Sequence, residues 1–349
     1  MSYAMKLKTS LITAMLLAGV WASAEDSDEK LLNLQLMARF DYQRDYVRGE
    51  ANSAGCGFRG KNVSVYLDGD IGGQFSYAYR QRLNRAHKSE GFFDATDFLY
   101  LTYEPDGNWK FSAGKQIVAI GGHEYDLAPI DSYFVSEYSN SISCYQPGVS
   151  VAGYLGHDKT DLLEFQFCQS PCRESDISMD IYSYNLMWSG EHGVFRPLWS
   201  LNFMEYEKGE FLNCLAFGNY FELGRTAFFV DLMNRSPLKD FRLFRDFTVV
   251  GKFTLDIGER LRIFAKASHD YNGTESMADW TVLPGTSITR VGGGMEFFPL
   301  RNSRNLRIHA AGCRTFGRNG NPDGTLEDMQ TFLNMGVSWR MNLLSFRKK

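Results

Sequence analysis

A two-residue alternation of apolar and polar side chains runs through this chain in segment after segment, and it leaves few folds open. Leu32, Leu34, Leu36, Ala38, Phe40 and Tyr42 fall on one face of the first segment, and Asn33, Gln35, Arg39, Asp41 and Gln43 on the other. Strand side chains point alternately to two faces, so each such segment reads as a strand with one apolar and one polar side. The pattern returns as Phe75, Tyr77 and Tyr79 against Ser76, Ala78, Arg80 and Arg82, and as Leu163, Phe165 and Phe167 against Glu164 and Gln166. It closes the chain, where Leu333, Met335, Val337, Trp339, Met341 and Leu343 oppose Asn334, Gly336, Ser338, Arg340 and Asn342. About sixteen strands of around ten residues follow one another, an even number within the range of outer-membrane barrels.

The connections alternate too. Short ones span 70–73, 104–108, 155–161, 189–193, 222–225 and 256–260. Longer ones span 47–60, 85–94, 120–143, 170–179, 234–241, 272–285 and 317–328. Only 206–210 is short where the rule wants a long one. Long-short alternation fits antiparallel strands with tight turns at one membrane face and longer loops at the other. A secreted two-sheet sandwich also alternates, because one face of each sheet is wet. Two features argue against it: the polar face carries charges in nearly every strand, and the apolar face ends repeatedly in Tyr, Trp or Phe, as an aromatic girdle would. No linker or shift of composition divides the chain, so residues 25–349 read as one closed, all-β transmembrane antiparallel barrel.

Aromatic residues at 15% and 33 glycines suit strands and turns. Apart from the N-terminus, no apolar run approaches the roughly 18 residues of a transmembrane helix. That excludes a helical membrane protein and leaves a barrel open. Residues 1–24 read as a secretory signal: Lys6 and Lys8, an apolar core from Leu11 to Val20, and Ala22-Ser23-Ala24 before the cleavage point. The mature chain is expected to start at Glu25. The full chain carries a net charge of −4, and losing two lysines makes it more acidic, which argues against nucleic acid as a partner. Six cysteines at irregular spacing form no disulfide framework, although Cys168 and Cys172 could pair. The scattered histidines offer no metal-ligand spacing, and no cofactor is implied.

One stretch stands apart. A hairpin, 98–103 and 109–117 around the turn Glu104-Pro105-Asp106-Gly107-Asn108, ends in Gly121-Gly122, and the alternation then stops. Residues 120–143 form a long loop rich in aromatics and acids, with His123, Glu124, Tyr125, Asp126, Asp131, Tyr133, Phe134, Glu137 and Tyr138. Such a loop either caps one end of a β fold or folds inside a barrel and narrows it.

Five runs carry a resemblance: Tyr66-Leu-Asp-Gly-Asp70, Phe75-Ser-Tyr-Ala-Tyr-Arg-Gln-Arg-Leu83, Phe93-Asp-Ala-Thr-Asp97, Ala113-Gly-Lys-Gln116 and Ser136-Glu-Tyr138. They are similar to porins of the phosphate-selective porin O and P family, most of all to its shorter, acidic members. The likeness extends more loosely from about residue 35 to the last strand. It implies a sixteen-stranded outer-membrane barrel, usually trimeric, with the third outer loop, here 120–143, folded into the lumen. It also implies anion selectivity through arginines and lysines at a constriction. This chain departs from that pattern. Its inward basic candidates are Arg39, Arg80, Arg82, Lys110, Lys252, Arg262, Lys266, Arg307 and Arg340. Its loop brings Glu124, Asp126, Asp131 and Glu137, and the lumen also receives Asp41, Asp68, Glu164 and Glu296. Acids on the loop facing bases on the wall would set a transverse field, which orders polar solutes without strong preference for charge sign. The C-terminus departs as well, since Phe346 is followed by Arg347-Lys348-Lys349 rather than ending the chain.

The constriction is therefore expected from Arg80, Arg82, Lys115, Glu124, Asp126, Asp131 and Glu137, with Arg39, Lys110, Lys252, Arg262, Lys266, Arg307 and Arg340 lining the lumen. Arg80 and Arg82 share a face. Lys115 follows Gly114 at a strand end, where it faces either the loop or the lumen. Asp94 and Asp97 sit in the second outer loop, as turn residues or as a latch onto a neighbouring subunit. His123 reads as a polar loop contact. The expected function is passive diffusion of small hydrophilic solutes across the outer membrane, with anions such as phosphate among the candidates and membrane lipid around the barrel. The alternative is a non-conducting barrel that acts as scaffold or adhesin. An outer-membrane enzyme is not expected: no GxSxG motif occurs, and Ser268-His269-Asp270 places neighbours on opposite faces.

Overall fold

The computed structural model describes residues 30–85, 95–172, 180–321 and 326–347. The signal segment lies outside them. Sixteen long strands follow in chain order: β1 (Lys30–Val47), β2 (Gly57–Ile71), β3 (Phe75–Arg82), β4 (Thr96–Tyr103), β5 (Trp109–Ile117), β6 (Tyr145–Leu155), β7 (Asp161–Gln169) and β8 (Tyr182–Gly190) form the first half. The second half comprises β9 (Phe195–Glu207), β10 (Glu210–Leu223), β11 (Thr226–Pro237), β12 (Asp246–Ile257), β13 (Leu261–Asn272), β14 (Ser287–Phe297), β15 (Leu306–Arg318) and β16 (Gln330–Arg347). A two-residue bridge, Glu50–Ala51, folds back on the end of β1. Each long strand pairs antiparallel with its sequence neighbours. The sheet closes where β1 meets β16, from Lys30 opposite Arg347 to Val47 opposite Gln330. Closure leaves no free sheet edge along that seam.

The turns alternate as the sequence suggests, and the irregular one, between β9 and β10, is the two-residue hairpin Lys208-Gly209. Gly224, with φ of 64°, opens another two-residue turn, where the right-handed twist of the strands needs a left-handed residue that glycine supplies without strain.

Burial is inverted relative to a water-soluble protein. Phe40, Leu99, Phe111, Phe165, Leu186, Val230, Phe253, Met295 and Met335 are exposed on the outer face, whereas Asn33, Arg39, Asp41, Ser64, Asn202, Asp231 and Asn334 are buried on the inner one. Outer-face rings cluster at the short-turn end. Phe75 stacks on Tyr103 at 4.7 Å, and Phe221 stacks between Phe195 and Phe228 at 5.1 and 4.8 Å. An apolar belt with an aromatic rim is the surface a bilayer wets. No described helix is long and apolar enough to cross a membrane.

Candidate functional site

Residues 118–144, between β5 and β6, touch the inner face of strand after strand. The chain first runs past β7, β8 and β9, whose inward amides meet its backbone. Gln166 accepts from Ala119 N–H at 2.8 Å and donates to Ile117 O at 2.8 Å. Asn202 donates to Ala119 O at 2.8 Å, and Ser200 Oγ accepts from Gly121 N–H at 2.8 Å. Asn185 links Gln166 and Asn202 into one ladder. A buried backbone outside a sheet still needs partners, and this ladder supplies them. Gly121 and Gly122 make the approach possible. A Cβ on Gly121 would stand 2.5 Å from Leu198 O, and one on Gly122, whose φ is 109°, would stand 2.6 Å from Met233 Cε.

Two short helices follow, α1 (His123–Asp126) and α2 (Glu137–Ser141). Wall carboxylates receive their N-termini. Asp231 on β11 accepts from Glu124 N–H at 2.7 Å. Asp270 on β13 accepts from Glu137 and Tyr138 N–H at 2.9 and 3.2 Å. Unpaired amides at a helix start favour such acceptors. Between the helices, wall cations hold backbone carbonyls: Arg307 holds Ile130 O at 2.6 Å, Arg39 holds Ser132 O at 2.6 Å, Lys266 holds Phe134 O at 2.7 Å and Arg290 holds Val135 O at 3.1 Å. One segment can reach the same face of β1 and of β7 through β16 only from the concave side of a closed cylinder.

The charges of the loop are largely matched. Glu124 pairs with Lys266 at 2.6 Å, and Asp131 with Arg307 at 2.7 Å and with Arg340. Burial opposes ionisation of Glu124, yet the Lys266 ammonium and the hydroxyls of Ser136 and Ser139 outweigh it and hold the carboxyl below the usual range. Burial pushes Glu137 and Asp126 the other way, upward, with Asp270 adding to the effect at Glu137. Asp126 is nonetheless exposed to the interior space. Tyr133 stacks on Phe264 at 5.5 Å and donates to Glu296 at 2.6 Å.

The other basic residues sit elsewhere. Arg80 and Arg82 both bind Asp97, at 2.8 and 2.7 Å, away from the loop acids. Asp97 itself is not a turn residue but a buried member of β4, which corrects the expectation for it; Asp94 lies outside the described residues. Lys115 also needs correction as a constriction residue. It stands opposite Leu99 on the face that carries Trp109, Phe111 and Ile117, which is the outer one. Lys110 pairs with Glu104 at 3.3 Å and Arg262 with Asp256 at 2.7 Å, both near the short turns. Lys252 lies over the Phe264 ring at 5.3 Å, beside Leu127 and Asp131. Arg39 pairs with Asp41 at 2.7 Å. Ser268 and Asp270 point inward and His269 outward, so the three cannot form a triad. All six cysteines are unbridged, Cys168 and Cys172 included.

Sequence reading missed a second inward element. Arg235 on β11 is fully buried between Asp246 at 2.7 Å and Asp279 at 2.6 Å, and lies 4.9 Å from the Tyr138 ring centre. Asp279 belongs to the connection between β13 and β14. Ala278 and Val282 of that connection join Val118, Ile120, Tyr125, Tyr138 and Ile142 of the loop and Met204, Leu212, Cys214 and Met233 of the wall in one apolar cluster. On this side the lumen holds a packed apolar core.

Residues 32–196 match the model of a family described as phosphate-selective porin O and P. Over that stretch, just under half of the chain, the sequence is similar to this family of outer-membrane porins. The family and the fold are those of a channel. Solved structures agree on the fold. The anion-selective porin from Comamonas acidovorans superposes with a TM-score of 0.61 at 8% identity, over 89% of this chain and 99% of that one. In-vitro folded OmpT of Vibrio cholerae in its trimer form gives 0.58 at 11% identity, over 89% and 99%. Salmonella typhi OmpF in complex with daunomycin gives 0.58 at 10% identity, over 89% and 97%. A search of curated proteins returned no match.

Proposed function

We propose that this porin passes small hydrophilic solutes by diffusion between the tip of the 118–144 segment and the wall formed by β2–β7. The observation that carries the reading is the asymmetry of the loop's anchors, which run through β1 and β7–β16. Asp126, Asp131 and Lys252 would line the loop side of the narrowing, with Arg80 and Arg82 on the wall opposite. Selectivity for charge sign is weak. Arg39, Lys266 and Arg307 spend hydrogen bonds on loop carbonyls, and Arg340 pairs with Asp131. A strong anion site needs several donors left free at one depth.

The functional unit is a homotrimer, supported by the family and by the trimer form in which OmpT of Vibrio cholerae is described. Residues 1–24 are removed on export and the mature chain begins at Glu25, which N-terminal mass determination of membrane-extracted protein tests directly. The apolar cluster inside the barrel favours a second reading, a barrel too filled to conduct. Single-channel conductance in a planar bilayer under a salt gradient separates the two. Steps with a small reversal potential support diffusion. A folded, heat-modifiable protein that gives no steps supports the scaffold.

A further inference from the structure

The wall of β2–β7 carries a feature that simple diffusion does not use. Tyr66 on β2, Phe98 and Tyr100 on β4, and Tyr154 on β6 point inward, Tyr145 at the start of β6 reaches the inward Arg80 and Phe98, and the four tyrosines are only half-buried. Tyr66 stands opposite Arg80 on β3, and Arg80 opposite Phe98. Tyr66 meets Phe98 edge-on at 6.0 Å, and Phe98 meets Tyr100 at 5.8 Å. The Arg80 guanidinium covers Phe98 at 4.6 Å. Along the cross-strand row from Tyr100 come Gly114 on β5 and Gly148 on β6, with Ala78 on the other side. No large side chain therefore rises beside the Tyr100 ring. The hydroxyls of Tyr66 and Tyr100 have no hydrogen-bond partner among the described residues, and Glu164, on the same wall, has no ion-pair partner among them. Lys110 lies in line with Glu164 across Ala152.

Ring faces, the two unbonded phenols of Tyr66 and Tyr100, a carboxylate without an ion-pair partner and a nearby ammonium make a mixed surface. A small inorganic anion would use the cation and leave the rest idle. A pyranose uses all of them: its C–H face packs on aromatic rings, and its hydroxyls both donate to a carboxylate and accept from phenol or ammonium. We propose that the β2–β7 wall is a saccharide-binding track centred on Tyr66 and Tyr100. The proposal rests on the diffusion reading, because solutes must reach this wall.

Maltotriose is the probe. Added to one side of a bilayer holding the refolded porin, it interrupts the ion current reversibly and in proportion to occupancy. Tyr66→Ala and Tyr100→Ala each weaken the block about tenfold, while Tyr100→Phe, which keeps the ring, weakens it less. Heat-modifiable migration of each variant shows that it is folded. A conducting protein that maltotriose does not block overturns the proposal and spares the diffusion reading. So does block that is equal in the wild type and both alanine variants, or block by phosphate alone. A folded protein without conductance overturns the diffusion reading instead. Titration calorimetry with maltotriose then decides the track: heat of binding lost in Tyr100→Ala supports it, and no heat in the wild type overturns it.

Discussion

The two sides of the lumen use charge in opposite ways. Toward β8–β14, carboxylates and cations are buried, paired and committed to holding chain in place: Asp231 and Asp270 at helix starts, Lys266 on Glu124, Arg235 between two aspartates. Toward β2–β7, Arg80 and Arg82 share the buried Asp97, but the Tyr66 and Tyr100 rings and Glu164 remain partly open, and Glu164 has no ion-pair partner among the described residues. The same alternation encodes both sides, so an inward polar residue is not by itself a pore residue. It lines the pore only where no chain has folded over it.

The largest test of this contrast is Arg235→Ala. It strands Asp246 and Asp279 in a buried site, which costs about 3–5 kcal/mol. The urea midpoint of the membrane-extracted barrel falls accordingly, and conductance rises as the 273–286 connection comes loose. Next is Asp270→Ala, which removes the acceptor for Glu137 and Tyr138 N–H. A loss of about 1–2 kcal/mol is expected, with noisier current from a loop tethered at one helix only. If current stays quiet, the loop is held by other means and the contrast weakens.

Acid gives a smaller effect with a defined sign. The Glu124 carboxyl is held below its ordinary range when the loop is docked. Its contribution to docking is therefore complete above that ordinary value and is lost as pH falls through the lowered one. Loop noise should set in only in acid below about pH 4, and Glu124→Gln should make the noise insensitive to pH there. The least effect belongs to the open wall. Glu164→Gln should change stability by less than about 0.5 kcal/mol, while shifting the reversal potential toward anions. A large loss of stability would mean that this wall is structural too.

Much of the barrel was legible because each strand announces its faces locally. Leu163, Phe165 and Phe167 needed only their own neighbours to be placed outward. The loop was legible as an interruption, through Gly121-Gly122 and the acids and rings that follow. What stayed hidden depends on partners far away in sequence. Asp97 looks like turn chemistry until β3 brings Arg80 and Arg82 against it. Met204, Leu212 and Met233 break the polar pattern of the inner face, and the reason is visible only once Tyr138 and Ile142 are docked on them. Lys115 was undecidable beside Gly114 until pairing with Leu99 fixed its side.

The anchoring of the loop also sets an order of events. Its tip is held by Arg39 near the start of the chain and by Arg307 and Arg340 near the end, across sequence separations of 93, 177 and 209 residues. None of these partners is on the inner side of anything until β1 has met β16. Long-range contacts of this kind form slowly, since much chain must be brought together first. A barrel that has inserted but not closed would therefore carry an undocked, aromatic-rich segment, and the narrow state of this porin would be the last thing assembly produces.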